Sequence, residues 1–335
     1  MPMPYSAEKE LARRAVVRAA GLCRRIQTDT LKPSSAVKAD RSPVTLADYA
    51  AQAVICQALA AAFPADPVVA EEKAADLRRA GQQEMLAQVA YYVQQALPGA
   101  TPPQVCDWID YGSAEPGPRF WTLDPVDGTK GFLRGGQYAI ALALVEDGQV
   151  RVSALACPNL PLDPAQPEGQ RGVVFLAVCG QGAEMIPLSE GGLGTQHIAV
   201  APLIDASAAR FAESVEAGHS DQAAHARLAR SLGITQPPLR IDSQAKYGVV
   251  ARGEAAIYLR LPSPQQPDYR ENIWDHAAGA LIVEEAGGRV TDARAADLDF
   301  GQGRQLIKNQ GVVVSNGHLH PAILKAVQDT SAVLG

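Results

Sequence analysis

The stretch Trp121-Thr-Leu-Asp-Pro-Val-Asp-Gly-Thr-Lys-Gly-Phe132 decides how the rest of the chain is interpreted. The residues from Phe120 to Leu123 are apolar and β-prone, so they predict a buried strand. Two carboxylates, Asp124 and Asp127, follow where we expect the chain to turn. Pro125 lies between them and stiffens that turn, because its ring fixes one backbone dihedral angle.

The end of this stretch favours a site for a cation and an anion. Gly128 permits an unusual backbone dihedral angle, and Thr129 lies where a short helix can begin with free N–H groups pointing outward. Carboxylates bind divalent cations and helix N-termini bind phosphate, so the two together suit a metal-dependent phosphate chemistry. The same letters also fit an Asp-rich turn with a helix cap, and the stretch alone leaves both interpretations open.

The block Asp124-Pro-Val-Asp-Gly-Thr129 resembles the metal-binding signature of the lithium-sensitive phosphatase superfamily, which includes inositol monophosphatases and fructose-1,6-bisphosphatases. The continuation Lys130-Gly-Phe-Leu-Arg-Gly135 is similar to the 3′(2′),5′-bisphosphate nucleotidases, which remove the 3′-phosphate from 3′-phosphoadenosine 5′-phosphate. Inositol monophosphatases usually carry Thr-Asn-Phe where this chain has Lys-Gly-Phe. The resemblance implies a hydrolase that depends on Mg²⁺, is sensitive to lithium and serves sulfur assimilation.

Length and composition limit the class of protein. The 335 residues can form a sizeable core in one or two domains. A net charge of −6 argues against general affinity for nucleic acid. The longest apolar runs, such as Ala139 to Val145, are far shorter than the roughly 20 residues that span a bilayer. We therefore expect no nucleic-acid partner, no membrane partner and a monomer.

The beginning of the chain and the cysteines indicate a cellular compartment. The first residues lack the basic and then apolar pattern of a secretory signal. The five cysteines are scattered and form no Cys-x-x-Cys pair. This argues against zinc and against a disulfide framework, and it predicts reduced thiols in a cytoplasmic protein.

Periodicity and glycine punctuation predict an alternation of helices and strands. The predicted helices are Glu8–Thr28, Ser42 to about Phe63, Glu84–Ala96, Gln222–Leu232, Ile273–Ala286 and Leu319–Val327. The predicted strands besides the central one are Asp66–Ala70, Tyr138–Val145, Val150–Cys157, Val173–Val178, Ala183–Pro187, Phe211–Glu216, Ala256–Leu261 and Gly311–Ser315. Pro158 to Gln170 is expected to be an irregular connection.

We expect a mixed α+β and α/β fold with two halves that share a groove. The glycine-rich segment Ser189 to Thr195 is the expected joint, which gives an N-terminal domain of residues 1–195 and a C-terminal domain of residues 196–335. The resemblance implies a layered αβαβα sandwich of the inositol monophosphatase type, with the metal site in the groove between the halves.

Five carboxylates far apart in the sequence are candidate metal-site residues: Asp48, Glu71, Asp124, Asp127 and Asp275. Each alone has another interpretation; Asp275, for example, fits the start of a helix, where the dipole favours a carboxylate. The surrounding blocks nevertheless resemble the family's blocks in the family's order. These blocks are Ser42-Pro-Val-Thr-Leu-Ala-Asp48, Val68-Val-Ala-Glu-Glu72 and Ile273-Trp-Asp-His-Ala-Ala-Gly279.

The resemblance implies how these residues bind two Mg²⁺ ions, and it suggests a third. Asp124 is expected to bridge the two ions. Glu71 and the carbonyl of Val126 complete the first site, and Asp127 and Asp275 complete the second.

The resemblance also implies the chemical step. Thr129, backed by Asp48, is expected to position and deprotonate the water that attacks phosphorus in line, so no phosphoenzyme forms. The scissile phosphate is expected to contact Gly128, Thr129 and Asp275.

Two further blocks, Glu213-Ser-Val-Glu-Ala-Gly-His219 and Ile241-Asp-Ser-Gln-Ala-Lys-Tyr247, resemble nucleotidase sequences. An arginine follows in Tyr258-Leu-Arg-Leu-Pro262. By this resemblance, adenosine and the 5′-phosphate are bound by His219, Ser243, Lys246 and Arg260. Without it, the lysine and the arginine fit surface charges equally well. His318 and His320, near the start of the last helix, match no block and are expected at the surface.

The function predicted from the sequence is removal of the 3′-phosphate of 3′-phosphoadenosine 5′-phosphate, with its 5′-phosphosulfate as a further substrate. Two alternatives stay open at this point. One is an inositol phosphate phosphatase, against which Lys130-Gly131 and the pair Lys246 and Arg260 speak. The other is a non-catalytic nucleotide sensor, against which Thr129 and the five carboxylates speak.

Overall fold

Two β-sheets organise the chain, one of seven strands and one of five. The computed structural model describes residues 3–30, 43–188, 194–215, 222–262 and 269–332. The first sheet and its helices comprise α1 (Ser6–Thr30), α2 (Pro43–Ala62), β1 (Val68–Ala70), α3 (Gln83–Ala96), α4 (Pro102–Tyr111), β2 (Arg119–Asp127), α5 (Thr129–Leu133), β3 (Ala139–Glu146), β4 (Gln149–Pro161), β5 (Arg171–Val178), β6 (Ala183–Pro187) and β7 (Gln196–Ile198).

The second sheet follows in the chain. Its elements are β8 (Phe211–Glu213), α6 (Gln222–Ser231), β9 (Leu239–Arg240), α7 (Ala245–Ala251), β10 (Ile257–Arg260), α8 (Ala277–Glu285), β11 (Arg289–Thr291), β12 (Val312–Ser315) and α9 (His320–Ala332). Short 3-10 turns lie at Ala206–Ala208 and Ile273–Asp275. The strand order is β11-β12-β10-β8-β9, whereas the first sheet keeps the chain order from β1 to β7.

The elements stack in five layers, as predicted. Helices α1 and α2 pack on one face of the first sheet, and α7 and α8 pack on the other face, between the sheets. Helices α6 and α9 cover the far side of the second sheet, where Leu228 and Ile323 pack against Ile257. The layered fold class is therefore confirmed.

Strand β3 shows why the central strands read as continuous apolar runs. Leu142 and Leu144 pack in the core under α1 and α2, whereas Ala141, Ala143 and Val145 pack in the core under α7 and α8. Successive side chains of a strand point to opposite faces, so a sheet covered by helices on both sides needs apolar residues at every position. Among the described residues, no helix combines the length and the apolar character needed to cross a bilayer.

Several predicted boundaries were wrong. The central strand does not end at Leu123 but continues as β2 through Asp127. Strand β4 runs to Pro161, into the segment predicted to be irregular. The helix predicted from Ile273 is a 3-10 turn, after which α8 begins at Ala277.

Helices α4 and α7 and strands β7, β9 and β11 are not among the predicted elements. Helix α4 has a recognisable start in its sequence. Thr101 and Gln104 form a capping box, and Pro102 occupies the first turn, where its missing N–H costs nothing. The predicted division at residue 195 remains a prediction; strand β7 of the first sheet begins at Gln196.

Candidate active site

A β-bulge in β2 brings the two aspartates of the central stretch onto one face of the sheet. Asp124 pairs with Ala141 and Asp127 pairs with Ala139, so three steps along β2 match two steps along β3. Residues three apart on a regular strand would point to opposite faces. The extra residue of the bulge turns both aspartates to the same face, and it leaves Val126 outside the regular ladder. Both carboxylates therefore face the layer between the two sheets.

Asp124 lies at the centre of the acidic site. Its side chain is 2% exposed, and its Oδ1 atom has no hydrogen-bond partner among the described residues. Burial raises the pKa of this carboxyl well above its usual range, and four other carboxylates raise it further. Those four are Glu71, Asp127, Asp275 and Asp48. The structure thus brings together all five carboxylates that were singled out in the sequence.

Asp48 and Glu71 enter the site from α2 and from the end of β1. Asp48 is buried, and burial raises its pKa well above the usual range, with Glu72 and Glu71 adding to the effect. Glu71 is at an exposed position, yet its carboxyl faces other acids. Desolvation, Glu72 and Asp127 raise its pKa to about 7, against a hydrogen bond with Asp124.

Gln52 holds this strand end and was missed in the sequence. It is fully buried on α2, one turn after Asp48. Its amide donates to the Glu72 carbonyl at 2.7 Å and accepts from the Glu72 N–H at 3.0 Å. A third hydrogen bond, donated to the Ile109 carbonyl at 2.8 Å, ties the site to α4. The only signal was an amide on the apolar face of a predicted helix, four residues after the aspartate.

Asp275 reaches the site from the 3-10 turn before α8, where it is half-buried. Burial raises its pKa to about 7; Asp127 and Glu271 act in the same direction, and His276 and Arg260 oppose them. Ligand atoms of Glu271, Asp275 and His276 lie within 4.8 Å of one another.

His276 is held by neighbours on both sides of its ring. Its Nδ1 lies 2.7 Å from the Tyr247 hydroxyl, and its Nε2 lies 3.1 Å from Glu271 Oε2. Both ring nitrogens are therefore engaged within the protein. The side chain is 1% exposed, which fits packing in the core rather than a ligand role.

Gly128 and Thr129 form the junction between β2 and α5. Gly128 has φ +89°, in the left-handed region. Thr129 is the first residue of α5 and is exposed. Ser243 packs against Gly128 and itself has φ +71°. The N–H of Gln244 donates to Asp127, so the segment before α7 is bonded to the end of β2.

Lys246 and Arg260 bring positive charge to the same region. Lys246 is only 5% exposed, with Nζ 5.3 Å from the centre of the Tyr258 ring. Burial lowers its pKa to about 8, with Arg260 acting in the same direction and Asp127 opposing. Arg260 donates from Nε to Glu271 at 2.9 Å. The surface-charge alternative is wrong for the lysine, and Glu271 is an anionic partner that the sequence did not reveal.

The predictions for three histidines have different outcomes. His219 lies outside the described residues. His320, expected at the surface, is 5% exposed and hydrogen-bonded on both ring nitrogens, to Thr291 and Ser315 at 2.9 Å each. The expectation was wrong because His320 begins α9 on the side that faces β11 and β12. His318 is exposed, as expected.

Comparisons with known proteins match nearly the whole chain. A model described as "Inositol monophosphatase family" matches residues 5–332. A "3′(2′),5′-bisphosphate nucleotidase" of Oryza sativa is 45% identical, over 97% of this chain and 95% of its own. A protein of Emericella nidulans with the same name is 44% identical, over 97% of this chain and 99% of its own. Among solved structures, an inositol monophosphatase from Anabaena has a TM-score of 0.62 at 19% identity, covering 98% of this chain and 97% of its own.

Proposed function

The chain belongs to the inositol monophosphatase family, and on that premise we propose that it is a Mg²⁺-dependent 3′(2′),5′-bisphosphate nucleotidase. The reaction is hydrolysis of the 3′-phosphate of 3′-phosphoadenosine 5′-phosphate to give AMP, and the 5′-phosphosulfate analogue is a further substrate. The relatives that carry this name align over nearly the whole chain, so the similarity includes all the segments that form the candidate site.

One observation carries the metal dependence. The buried Oδ1 of Asp124 has no partner among the described residues, and four carboxylates surround it. A cluster of like charges in a buried place is costly unless cations compensate it. Carboxylate and carbonyl oxygens are the hard donors that Mg²⁺ prefers, so these residues fit the ion. When bound here, Mg²⁺ would neutralise phosphate charge and favour ionisation of water.

We assign the metal ligands to the residues that the bulge and the neighbouring turns present. Asp124 would be shared between two ions. Glu71 and the carbonyl of Val126, which the bulge takes out of the regular ladder, would complete one site. Asp127 and Asp275 would complete the other. A third ion beside Asp48 and Glu71 is part of the same proposal.

We assign the proton transfer to Thr129 and Asp48. Thr129 is exposed at the start of α5, where its hydroxyl can accept a hydrogen bond from an attacking water. Asp48 is buried and would receive the proton through that hydroxyl. The N–H groups at Gly128 and Thr129 would contact the scissile phosphate.

The nucleotide end of the site would use the second half of the chain. Lys246 and Arg260 supply two cationic groups beside the acidic cluster, which suits the second phosphate of a bisphosphate. Arg260 uses Nε for Glu271, and a guanidinium has four further N–H donors. Ser243 and His219 would contact the adenosine. A monophosphate ester of inositol has no second phosphate for these cations.

Phosphate release from a panel of substrates tests the function. With Mg²⁺ present, we expect release from 3′-phosphoadenosine 5′-phosphate to exceed release from inositol 1-phosphate by at least tenfold in kcat/KM. The reverse order would overturn the proposal in favour of an inositol phosphatase. Tight nucleotide binding without phosphate release would indicate a sensor instead.

We also propose a monomer in the cytoplasm. The free cysteines support a reducing compartment, because Cys23, Cys56, Cys106 and Cys157 are buried and all five are unpaired. Sedimentation of the purified chain tests the monomeric state, and a dimer at micromolar concentration would contradict it.

A further inference from the structure

Arg304 connects two segments that each end at an acidic residue of the site. It lies in the chain between β11 and β12, and its side chain is half-buried. Its Nη2 donates to the carbonyl of Ala70, and its Nη1 donates to the carbonyl of Ala114 at 3.3 Å. The guanidinium carbon lies 5.0 Å from the centre of the Trp274 ring.

Two of these contact residues are directly adjacent in the sequence to candidate metal ligands. Ala70 is the last residue of β1 and immediately precedes Glu71. Trp274 immediately precedes Asp275 in the 3-10 turn. The backbone reinforces the second contact, since the carbonyl of Arg304 accepts from the Ile273 N–H at 3.1 Å. A single side chain thus touches the residue before each of two carboxylates that come from different halves of the chain.

We propose that Arg304 is a positioning residue that sets the separation of Glu71 and Asp275 and thereby the affinity of the site for divalent cations. The proposal rests on the proposed function, because it takes these two carboxylates as metal ligands. Arg304 would act through Ala70 and Trp274, the residues that precede these two carboxylates. Its hydrogen bonds go to backbone carbonyls rather than to a carboxylate, which suits a structural role for the side chain.

Only a guanidinium meets all three contacts at once. Its planar fork can donate to two carbonyls, and its flat face can stack on an aromatic ring. A lysine has no flat face and places its donors on a single nitrogen. The carbonyl of Ala70 belongs to a fully buried residue, and a buried carbonyl that loses its donor is destabilised. Loss of Arg304 should therefore let the end of β1 and the 3-10 turn shift relative to each other.

Mn²⁺ binding to the full-length protein without substrate tests the proposal. Mn²⁺ is the probe, and electron paramagnetic resonance reports the free ion. We expect Arg304→Ala to weaken Mn²⁺ binding by at least about tenfold, the range measured when residues behind metal ligands are changed. Arg304→Lys should fall between Arg304→Ala and the unmodified chain, because lysine keeps the charge and one hydrogen bond. In activity assays, the Mg²⁺ concentration for half-maximal rate should rise while the nucleotide KM at saturating Mg²⁺ stays within about twofold.

Two control variants separate positioning from charge and from general stability. Lys308→Ala removes a cation from the same segment; Lys308 is exposed and pairs with Asp299, which is not a candidate metal ligand, so Mn²⁺ binding should be unchanged. Ile323→Ala removes buried apolar surface in α9, away from the site. If Ile323→Ala lowered the melting temperature as much as Arg304→Ala and weakened Mn²⁺ binding equally, the proposal would be overturned. Unchanged Mn²⁺ binding in a folded Arg304→Ala protein would also overturn it.

The outcome is separable from that of the proposed function. If the unmodified chain bound Mn²⁺ but released no phosphate from the nucleotide, the proposed function would fail while the role of Arg304 could still be measured. If the chain hydrolysed the nucleotide and Arg304→Ala bound Mn²⁺ normally, the role of Arg304 alone would fail. Should Arg304→Ala not fold, the comparison of Arg304→Lys with Lys308→Ala decides the question in the same way.

Discussion

Gly128 lies against Ser243 so closely that a methyl group added to Gly128 would come within 2.8 Å of the Ser243 Cβ atom. This contact joins the end of β2 to the segment before α7, and so joins the metal-site stretch to the predicted nucleotide site. Both residues have positive φ angles, +89° and +71°. The two segments therefore meet through backbone conformations that few residues adopt.

Gly128→Ala should lower both stability and turnover. The substitution costs about 1–2 kcal/mol for the left-handed backbone alone, and it also displaces Ser243. Gly81→Ala is a matched control, because Gly81 has the same φ of +89° and nothing within 4 Å of an added methyl group. Thermal unfolding and kcat/KM should show a larger loss at residue 128. Equal losses of stability and full activity in both variants would contradict a role for the contact.

Asp124→Asn should abolish turnover without unfolding the protein. The buried carboxyl is surrounded by four others, so in a metal chelator its removal relieves repulsion and should leave the melting temperature equal or higher. Mg²⁺ should raise the melting temperature of the unmodified chain, because an ion that binds only the folded state stabilises it. Mg²⁺ should not raise the melting temperature of Asp124→Asn. Normal activity of Asp124→Asn in millimolar Mg²⁺ would refute the shared-ligand assignment.

Thr129→Ala should reduce kcat much more than KM. Its hydroxyl is assigned to the attacking water, an interaction that matters mainly in the transition state. Because Thr129 is exposed, the melting temperature should hardly change. Thr129→Ser keeps the hydroxyl and should retain most activity. A rise in KM alone would reassign the residue to phosphate binding.

Arg260→Ala should affect substrates unequally. Removing one partner of a charge-assisted hydrogen bond costs about 1.5–3 kcal/mol, or roughly one to two orders of magnitude in kcat/KM for 3′-phosphoadenosine 5′-phosphate. The loss for 3′-AMP, which lacks the 5′-phosphate, should be small. Glu271→Gln tests the hydrogen bond that Glu271 accepts from Arg260. It should lower kcat/KM less than Arg260→Ala does, and again mainly for the bisphosphate. Equal losses on both substrates would show that Arg260 serves the fold or the scissile phosphate.

His320 should make the protein sensitive to acid. Burial lowers its pKa to about 4, with Arg289 acting in the same direction. The unfolded chain then binds the proton more readily, so the stability due to neutral His320 is present above pH 6.5 and is lost as the pH falls toward 4. His320→Gln cannot gain this proton. The difference in free energy of unfolding between the two proteins should shrink or reverse between pH 7 and pH 4; a constant difference would contradict the assignment.

The fold and the five carboxylates were accessible from the sequence because their signals are local. Burial on both sheet faces produces the apolar run of β3, and each acidic residue lies within a short block such as Val68 to Glu72. The alternation of such elements predicted two halves that share a groove, and the resemblance of the blocks to the inositol monophosphatase family implied the layered sandwich.

The remaining features depend on contacts between distant segments. Gln52 reads as an ordinary polar helix residue until β1 is placed beside it, and Glu271 reads as a surface acid until Arg260 lies next to it. Helix α4 is an exception with a local signal, the capping box of Thr101 and Gln104. The bulge in β2 left only an ambiguous mark in the sequence. Pro125 has no N–H for a ladder hydrogen bond, so inside a strand it favours a bulge, but it fits a turn at least as well.

That bulge matters for anyone who wishes to transplant the site into another scaffold. Copying the four letters from Asp124 to Asp127 onto a straight strand would aim the two acids at opposite sides of the host sheet, and no cation could reach both. A successful graft must import the surplus residue together with its partners on β3, Ala139 and Ala141. The transferable unit is therefore a mismatch between two strands rather than a peptide.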